Sequence, residues 1–175
     1  MSGAAEILLL TASVDPGVSK TPFTNMVNPK QRLEEYLANI KKIVDEQIFT
    51  KIILCENTNF EFDYGTIINN ARAKNVELEV LRFKGDYDGI HKHGKGYGEG
   101  EIIKYAMTHS KLMDANSIFY KLTGRISVKN LASIVKNNSN KDVIFIKAQR
   151  TALKVDVRFF KSSVKFFSTH LMDEY

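Results

Sequence analysis

The sequence contains a single cysteine and lacks any apolar run of membrane-spanning length. Cys55 stands alone among 175 residues, so no internal disulfide can form, which agrees with a reducing compartment. We expect Cys55 to be a small buried hydrophobe on a strand. The longest apolar runs, such as Ile7 to Leu10, fall far short of the roughly 20 residues that a transmembrane helix needs. Because no signal-peptide pattern opens the chain either, a cytoplasmic protein is expected.

The sequence also lacks long blocks of like charge, internal repeats and low-complexity tracts. No run reaches five like charges, although the chain carries a net charge of +5 and a pI near 9.2. The positive balance favours an anionic partner: nucleic acid, an acidic membrane face or a phosphorylated small molecule. The lysines are spread along the whole chain, which weakens the nucleic-acid interpretation. A content of 43% hydrophobic and 26% charged residues is ordinary for one globular domain of this length.

Predicted strands and helices alternate along the chain. Apolar runs typical of buried strands occupy residues 5–12, 51–55, 76–83, 117–122 and 141–147, and an extended segment covers 155–160. Helices are predicted to begin at Asn28-Pro29, at Asp63 or Thr66, at Glu99, at Asn130 and at Ser162. In the first of them, Arg32 is expected on the polar face. Residues 84–94 lack periodicity and are expected to form a loop. The order predicts a single α/β domain whose mainly parallel central sheet is flanked by helices.

The stretch from Gly94 to Arg125 carries the main functional hypothesis. Glycines at alternate positions let a backbone approach a ligand and leave N–H groups free at a helix start, where anions are stabilised; these are Gly94, Gly96, Gly98 and Gly100. The next strand is expected to present Lys121, Thr123 and Arg125 where it emerges at the sheet edge. The combination predicts a phosphate site. The alternative is a flexible glycine loop followed by surface charges.

Polar residues also follow the first two predicted strands. Thr11, Ser13 and Asp15 end the first strand, and Glu56 and Asn57 end the second. In an open α/β sheet, ligands sit beyond the carboxyl ends of the strands, so these residues are candidates for nucleotide contact. A simple turn over residues 57–59 is an equally good interpretation.

A metal site on the segment 84–94 is the less favoured interpretation of its polar residues. Asp86, Asp88, His91 and His93 alternate there and could bind a metal ion. Their expected loop lacks the fixed scaffold that a zinc site normally has. We therefore expect no metal at these positions.

Several ordered motifs span nearly the whole chain. They are Leu8-Leu9-Leu10-Thr11-Ala12 with the Pro-rich loop after it, Asn28-Pro29-x-x-Arg32-Leu33-x-x-Tyr36-Leu37, Cys55-Glu56-Asn57, Gly94-Lys95-Gly96-Tyr97-Gly98-Glu99, Lys121-Leu122-Thr123-Gly124-Arg125 and Asp156-Val157-Arg158-Phe159-Phe160. Together they resemble one family, the small GT-A type glycosyltransferases of bacterial capsule and lipopolysaccharide gene clusters. The resemblance implies a GT-A-like fold, with residues 1–125 binding a nucleotide-sugar and residues 126–175 on the acceptor side.

The chain departs from the family's Asp-x-Asp motif, which holds a divalent metal on the donor diphosphate. Lys121-Leu122-Thr123 stands in its place. Cations cannot chelate a metal, but they can neutralise the departing nucleoside diphosphate. We therefore expect no cofactor and no divalent metal.

The resemblance assigns a role to each candidate residue. Donor binding is expected of Thr11, Ala12, Glu56, Asn57, Lys95, Gly96, Gly98, Lys121, Thr123, Gly124 and Arg125. An inverting reaction needs a carboxylate that removes the acceptor's proton, for which Asp156 is preferred and Glu99 is the second candidate. Glu99 could instead cap its helix. Arg158 could orient Asp156, bind an anionic acceptor or simply be exposed on an edge strand.

Two rival functions remain from the sequence. One is a non-catalytic nucleotide-binding or nucleic-acid-binding domain, which the pI and the interspersed aromatic residues favour. The other is a Rossmann-type transferase or dehydrogenase, which is weaker because the glycines follow the third predicted strand rather than the first.

Partners are expected to be a nucleotide-sugar donor and a glycan or lipid-linked acceptor, not nucleic acid. Near the end of the chain, Lys161 and Lys165 accompany Phe159, Phe160, Phe166 and Phe167. This segment could touch the inner face of the cytoplasmic membrane, pack on the sheet or form a dimer contact.

Overall fold

The structure is a computed structural model that describes residues 6–17, 28–147 and 155–174. The described residues form six strands: β1 (Ile7–Ala12), β2 (Lys51–Glu56), β3 (Glu77–Arg82), β4 (Ile118–Thr123), β5 (Ile144–Lys147) and β6 (Val155–Ser163). They also form six α-helices: α1 (Pro29–Glu46), α2 (Gly65–Ala73), α3 (Tyr87–His93), α4 (Lys95–His109), α5 (Leu131–Asn137) and α6 (Val164–His170). A 3₁₀ turn, Met172–Glu174, follows α6. The part of the Pro-rich loop that contains Pro22 lies outside the described residues.

The six strands form one sheet in the order β3-β2-β1-β4-β6-β5. Strands β1 to β4 run parallel to one another, whereas β6 pairs antiparallel with both β4 and β5. The predicted α/β fold with a mainly parallel sheet is therefore confirmed. The carboxyl ends of β1, β2, β3 and β4 lie at a common edge, which is where open α/β sheets bind ligands. The division into two functional parts at residue 125 stays a prediction.

Each face of the sheet carries its own apolar cluster. Leu8, Leu10, Tyr120 and Leu122 face α1 and α2. Leu9, Ile53, Phe119 and Phe160 face α4 and α6. All six residues of β1 are buried, as expected for a parallel strand covered on both faces. Cys55 is one of the buried strand residues, as predicted, and burial raises the pKa of its thiol.

Helix α1 begins where the sequence predicts. The side chain of Asn28 accepts hydrogen bonds from the backbone N–H groups of Lys30 and Gln31, and Pro29 occupies the first turn. The left-handed conformation of Gln47, with φ of 49°, ends the helix. One expectation is wrong: Arg32 is buried, with 5% of its surface exposed, because it lies against the end of β1.

The glycine-rich segment is helical rather than a loop. Helix α3 occupies most of the predicted loop 84–94. The side chain of Asp86 caps its start by accepting a hydrogen bond from Gly89 N–H. Gly94 joins α3 to α4 with a φ of +92°, a conformation that other residues rarely adopt. Gly96, Gly98 and Gly100 then lie inside α4, and Gly98 packs against Ile90 of α3.

The C-terminal aromatic segment packs on the sheet. Phe160 and Phe167 are buried and their rings stack 5.8 Å apart between centroids. Lys161, a basic residue of the same segment, is also buried, because β6 extends to Ser163 and carries this residue inward. No helix among the described residues is long and apolar enough to cross a membrane.

Candidate active site

A buried ion pair lies at the carboxyl edge of the sheet, between Lys121 of β4 and Glu99 of α4. Lys121 is fully buried, whereas 18% of the Glu99 side chain is exposed. Lys121 Nζ donates to Glu99 Oε1, to Thr123 Oγ1 at 3.1 Å and to the Val157 carbonyl at 2.7 Å. An ammonium group has three N–H donors, so these contacts use all of them.

The same carboxylate oxygen is held by two hydroxyl groups. Thr11 Oγ1 donates to Glu99 Oε1 at 3.3 Å, and Thr123 Oγ1 donates to it at 3.2 Å. Thr11 and Thr123 are directly paired across β1 and β4, which places both hydroxyl groups beneath α4. The site therefore joins the ends of two parallel strands to one helix.

Local sequence patterns explain how these side chains meet. Strand side chains alternate between faces, so Phe119, Lys121 and Thr123 all point toward α4. In α4, Glu99 shares helical spacing with the buried residues Ile102, Ile103 and Ala106. Lys121 was expected to emerge at the sheet edge. It is instead inside β4, and these two periodicities are the signals that could have placed it there.

Burial and the neighbouring carboxylates shift the pKa of Lys121 in opposite directions. Burial lowers the pKa of Lys121, because a charged ammonium is poorly solvated there, while the carboxylates of Glu99 and Asp156 act to raise it. Two carboxylates thus act on a single buried cation. The network is a common feature of catalytic sites, although structural ion pairs produce similar perturbations.

A cluster of three cations lies near this edge, formed by Arg32 of α1, Lys95 of α4 and Arg125 after β4. Partial burial lowers the pKa of Lys95, and the neighbouring charges of Arg32 and Arg125 lower it further. Burial also lowers the pKa of Arg32, with Arg125 contributing in the same direction. Like charges that destabilise one another in this way are a favourable place for an anion. We call these three residues the cation cluster.

Protein contacts fix the two arginines of the cation cluster. Arg32 Nε donates to the Ser13 carbonyl at 2.7 Å, which ties α1 to the end of β1. Arg125 Nη1 donates to Glu35 Oε2 at 2.9 Å, and its guanidinium lies 5.9 Å from the centroid of the Tyr36 ring. Arg32 was missed as a candidate because helical spacing alone put it on the polar face.

Gly124 allows the chain to turn between β4 and Arg125. Its N–H donates to the Thr11 carbonyl at 2.9 Å. A Cβ at this position would lie 2.9 Å from a ring carbon of Tyr36 and 3.0 Å from the Thr11 carbonyl oxygen. Glycine is therefore needed here for close packing. The contact expected between Gly124 and a nucleotide-sugar donor stays a prediction.

Asp156, the preferred carboxylate candidate from the sequence, is paired with an arginine. Arg158 Nε donates to Asp156 Oδ1 at 2.8 Å, Arg158 Nη2 bonds to Oδ2, and the Arg158 backbone N–H donates to Oδ1 at 3.0 Å. The hydrogen bond from the guanidinium is the main reason why the pKa of Asp156 is lowered to about 2. Of the roles open to Arg158, orientation of Asp156 is the one that these contacts support.

Glu56 serves the loops around the edge. Its buried carboxylate accepts from the backbone N–H groups of Val14, Thr58 and Phe60, at 3.0, 2.8 and 3.0 Å. These bonds tie the segment after β1 to the segment after β2. The same contacts show that Glu56 holds the scaffold, while its expected contact with a nucleoside stays a prediction.

Asn57 and Ala12 lie beside this scaffold. The Asn57 backbone N–H donates to the Ala12 carbonyl at 3.1 Å, and the buried Asn57 side-chain oxygen has no hydrogen-bond partner among the described residues. Gly96 has open space where a Cβ would stand, while Gly98 is buried. The contacts with a nucleotide-sugar expected at these four positions stay predictions.

Lys121 and Arg125 were expected to act together on one diphosphate. In the structure each pairs with a different carboxylate, Lys121 with Glu99 and Arg125 with Glu35. Arg125 instead belongs with Arg32 and Lys95. Within the described ranges, no group of three or more His, Cys, Asp or Glu side chains could hold a metal ion. The expectation of metal independence remains a prediction.

Comparison with known proteins establishes the fold but not a family. Neither a protein-family model nor a curated protein matches this chain. A solved structure from Bacillus anthracis, assigned as a glucose-1-phosphate thymidylyltransferase in complex with sucrose, aligns with a TM-score of 0.52. The alignment covers 95% of this chain and 75% of the other, at 12% sequence identity. At that identity the likeness shows the fold alone.

Proposed function

We propose that this protein is a glycosyltransferase that moves a sugar from a nucleotide-sugar donor to a glycan or lipid-linked acceptor. The observation that carries the proposal is the cation cluster, in which Arg32 and Arg125 both contact Tyr36, and the charges of both lower the pKa of Lys95 on a third element. Glu35 already pairs with Arg125, and the combined positive field of the three side chains favours a further anion beside them. A donor diphosphate is such an anion.

The cation cluster can do the electrostatic work of the reaction. Cleavage of the bond between sugar and diphosphate leaves negative charge on the departing nucleoside diphosphate. Arginine presents planar N–H donors that match phosphate oxygens, and lysine contributes a point charge. These residues would stabilise the leaving group without a divalent metal, which is the arrangement we propose.

The fold supports a nucleotide substrate. Open α/β sheets bind nucleotides beyond the carboxyl ends of their strands, and the cation cluster is near that edge. The thymidylyltransferase with the similar fold is named for a reaction between a nucleotide and a sugar phosphate. The resemblance of the sequence motifs to those of small GT-A enzymes favours transfer of the sugar rather than of the nucleotide.

Binding of nucleoside diphosphates tests the donor site. We expect UDP, GDP, dTDP, CDP or ADP to raise the melting temperature without added metal and in the presence of a chelator. Lys95→Ala and Arg125→Ala should each weaken binding about tenfold or more, because a hydrogen bond to a charged group contributes roughly 1.5–3 kcal/mol. Lys104→Ala is the matched control, since Lys104 is an exposed lysine of the same helix. Absence of binding, or binding that needs a divalent ion, would contradict the proposal.

Nucleotidyl transfer is the second candidate, and the likeness to a thymidylyltransferase favours it. A nucleotidyltransferase releases pyrophosphate from a nucleoside triphosphate and a sugar 1-phosphate. A glycosyltransferase releases a nucleoside diphosphate from a nucleotide-sugar. Assaying both products with the same preparation separates the two functions, and salt-steep binding to a polynucleotide without either product would favour the non-catalytic alternative.

A further inference from the structure

The carboxylate of Glu99 is held by one oxygen and open at the other. Oε1 accepts from Lys121, Thr11 and Thr123, as described above. Oε2 receives no hydrogen bond from the described residues and, unlike the orphaned side-chain oxygen of Asn57, it is not sealed from solvent. A carboxylate fixed in this way presents one lone-pair-bearing oxygen in a defined direction at the ligand edge of the sheet.

We infer that Glu99 is the general base of the transfer reaction and that Lys121 is a positioning residue rather than a ligand of the diphosphate. This inference rests on the proposed function. Glu99 Oε2 accepts the proton of the acceptor hydroxyl while the acceptor oxygen bonds to the anomeric carbon. The bond from that carbon to the diphosphate oxygen breaks, and its electron pair leaves with the nucleoside diphosphate. Glu99 ends as a neutral acid, and the displacement inverts the anomeric centre.

Lys121 is placed to hold the base and not the donor. Its side chain is fully buried, and its three donors are used by Glu99, Thr123 and the Val157 carbonyl. Binding a phosphate would break one of these contacts inside the protein, where an unpaired group costs roughly 1–3 kcal/mol. The buried ammonium instead holds Glu99 Oε1, so that the carboxylate keeps one orientation and Oε2 stays open.

Asp156 is the less suitable base. Both of its oxygens are engaged by Arg158, and the pKa of about 2 leaves little tendency to take a proton near neutral pH. Glu99 has no such bidentate partner. The contacts therefore favour Glu99 over Asp156, the residue preferred from the sequence.

Hydrolysis of a nucleotide-sugar, with water as the acceptor, tests the assignment without knowledge of the natural acceptor. Glu99→Gln keeps the size of the side chain, so we expect nucleoside diphosphate affinity to stay within about twofold while kcat falls about 10²- to 10⁴-fold. Formate should restore part of the activity of Glu99→Ala by supplying a carboxylate. A purely structural Glu99 would give no such rescue.

The role of Lys121 is tested by comparing the effect of a substitution on nucleoside diphosphate affinity with its effect on kcat. We expect Lys121→Met to keep the nucleoside diphosphate affinity and the KM for the nucleotide-sugar but to lower kcat, because the carboxylate of Glu99 has lost the contact that orients it. Should Lys121→Met fail to fold, Thr123→Val removes one donor to Oε1 and leaves the ion pair intact. It should lower kcat with less effect on KM.

Each outcome decides between distinct alternatives. Wild-type kcat in Glu99→Gln would overturn the assignment of the base while leaving the glycosyltransferase proposal standing. If Lys121→Met lost nucleoside diphosphate affinity to the extent expected for Lys95→Ala, Lys121 would be a residue that binds the diphosphate. Failure of the wild-type protein to cleave any nucleotide-sugar would remove the proposed function and this inference together, and it is seen before any variant is made.

Discussion

Two lysine–glutamate pairs lie at opposite ends of the sheet, and they differ in what surrounds them. In both pairs the lysine is fully buried and 18% of the glutamate side chain is exposed. Lys161 Nζ donates to Glu6 Oε1, just before β1, and to the Asn138 carbonyl at 2.9 Å. Lys161 also lies 5.1 Å from the centroid of the Tyr120 ring.

The comparison shows that a buried ion pair is not by itself a functional signal. The Glu6 carboxylate receives one hydrogen bond from the described residues, whereas Glu99 receives three at a single oxygen. The pair at Glu6 links the start of β1 to the chain after α5, so it joins segments of the scaffold. The pair at Glu99 lies at the carboxyl edge of the sheet, and the directional support of its carboxylate is what distinguishes it.

The largest difference between the pairs should appear in catalysis. We expect Glu99→Gln to lower the rate of nucleotide-sugar hydrolysis at least about a hundredfold, and Glu6→Gln to change it less than about twofold, because one carboxylate faces the reaction and the other does not. Rates are measured at saturating donor, with melting temperatures recorded for both variants. Equal losses in the two variants would mean that neither pair is specific to the chemistry.

Substitutions in the Lys161–Glu6 pair should affect stability rather than catalysis. Lys161→Met should lower the free energy of unfolding by about 3 kcal/mol, because it leaves the partly buried carboxylate of Glu6 without its cation. Adding Glu6→Gln should recover part of that loss, since the uncompensated charge is then removed. Urea unfolding of the single and double variants measures the coupling. A Lys161→Met protein as stable as wild type would refute a structural role for this pair, and unchanged nucleoside diphosphate affinity serves as the control.

Much of the fold follows from the sequence because local patterns and tertiary packing agree there. The apolar run at β1 and the Asn28-Pro29 start of α1 correspond to observed elements. Sequence pattern and structure disagree at residues 84–94, where glycines and polar residues predict a loop and the structure has helix α3. That helix is capped by Asp86 and packed against α4 through Ile90, and neither interaction leaves a periodic trace in so short a segment.

The site was less predictable because charge alone does not reveal burial. Lys121 and Lys161 resemble surface lysines in sequence, and only the alternation of strand side chains places them inside, Lys121 on the face of Phe119 and Lys161 on the face of Phe159. Arg32 is buried because α1 begins against the end of β1, which helical spacing cannot indicate. Glu99 was among the candidates, but its three hydrogen bonds come from β1 and β4 and depend on the register between those strands.

The exposed ion pair between Arg158 and Asp156 serves as a surface comparison for the two buried pairs. Its loss should change the free energy of unfolding least. Asp156 has a pKa of about 2 in the folded protein, below the ordinary value of 3.8, and Arg158 is 68% exposed. A lowered folded-state pKa stabilises the protein above the unfolded pKa, and that contribution is lost as the pH falls through the folded pKa. Arg158→Gln should therefore be slightly less stable than wild type near neutral pH, by an amount that solvent screening keeps small.

The difference between Arg158→Gln and wild type should close as the pH falls from about 4 to about 2, where Asp156 becomes protonated in both proteins. Urea unfolding across this range measures it, and added salt should reduce the difference at neutral pH. A difference that persists below pH 2 would assign the effect of Arg158 to packing rather than to its charge. If instead Arg158→Gln lowered nucleotide-sugar hydrolysis as far as Glu99→Gln, Asp156 and Arg158 would belong to the reaction, and the distinction between the fixed carboxylate of Glu99 and the paired carboxylate of Asp156 would fail.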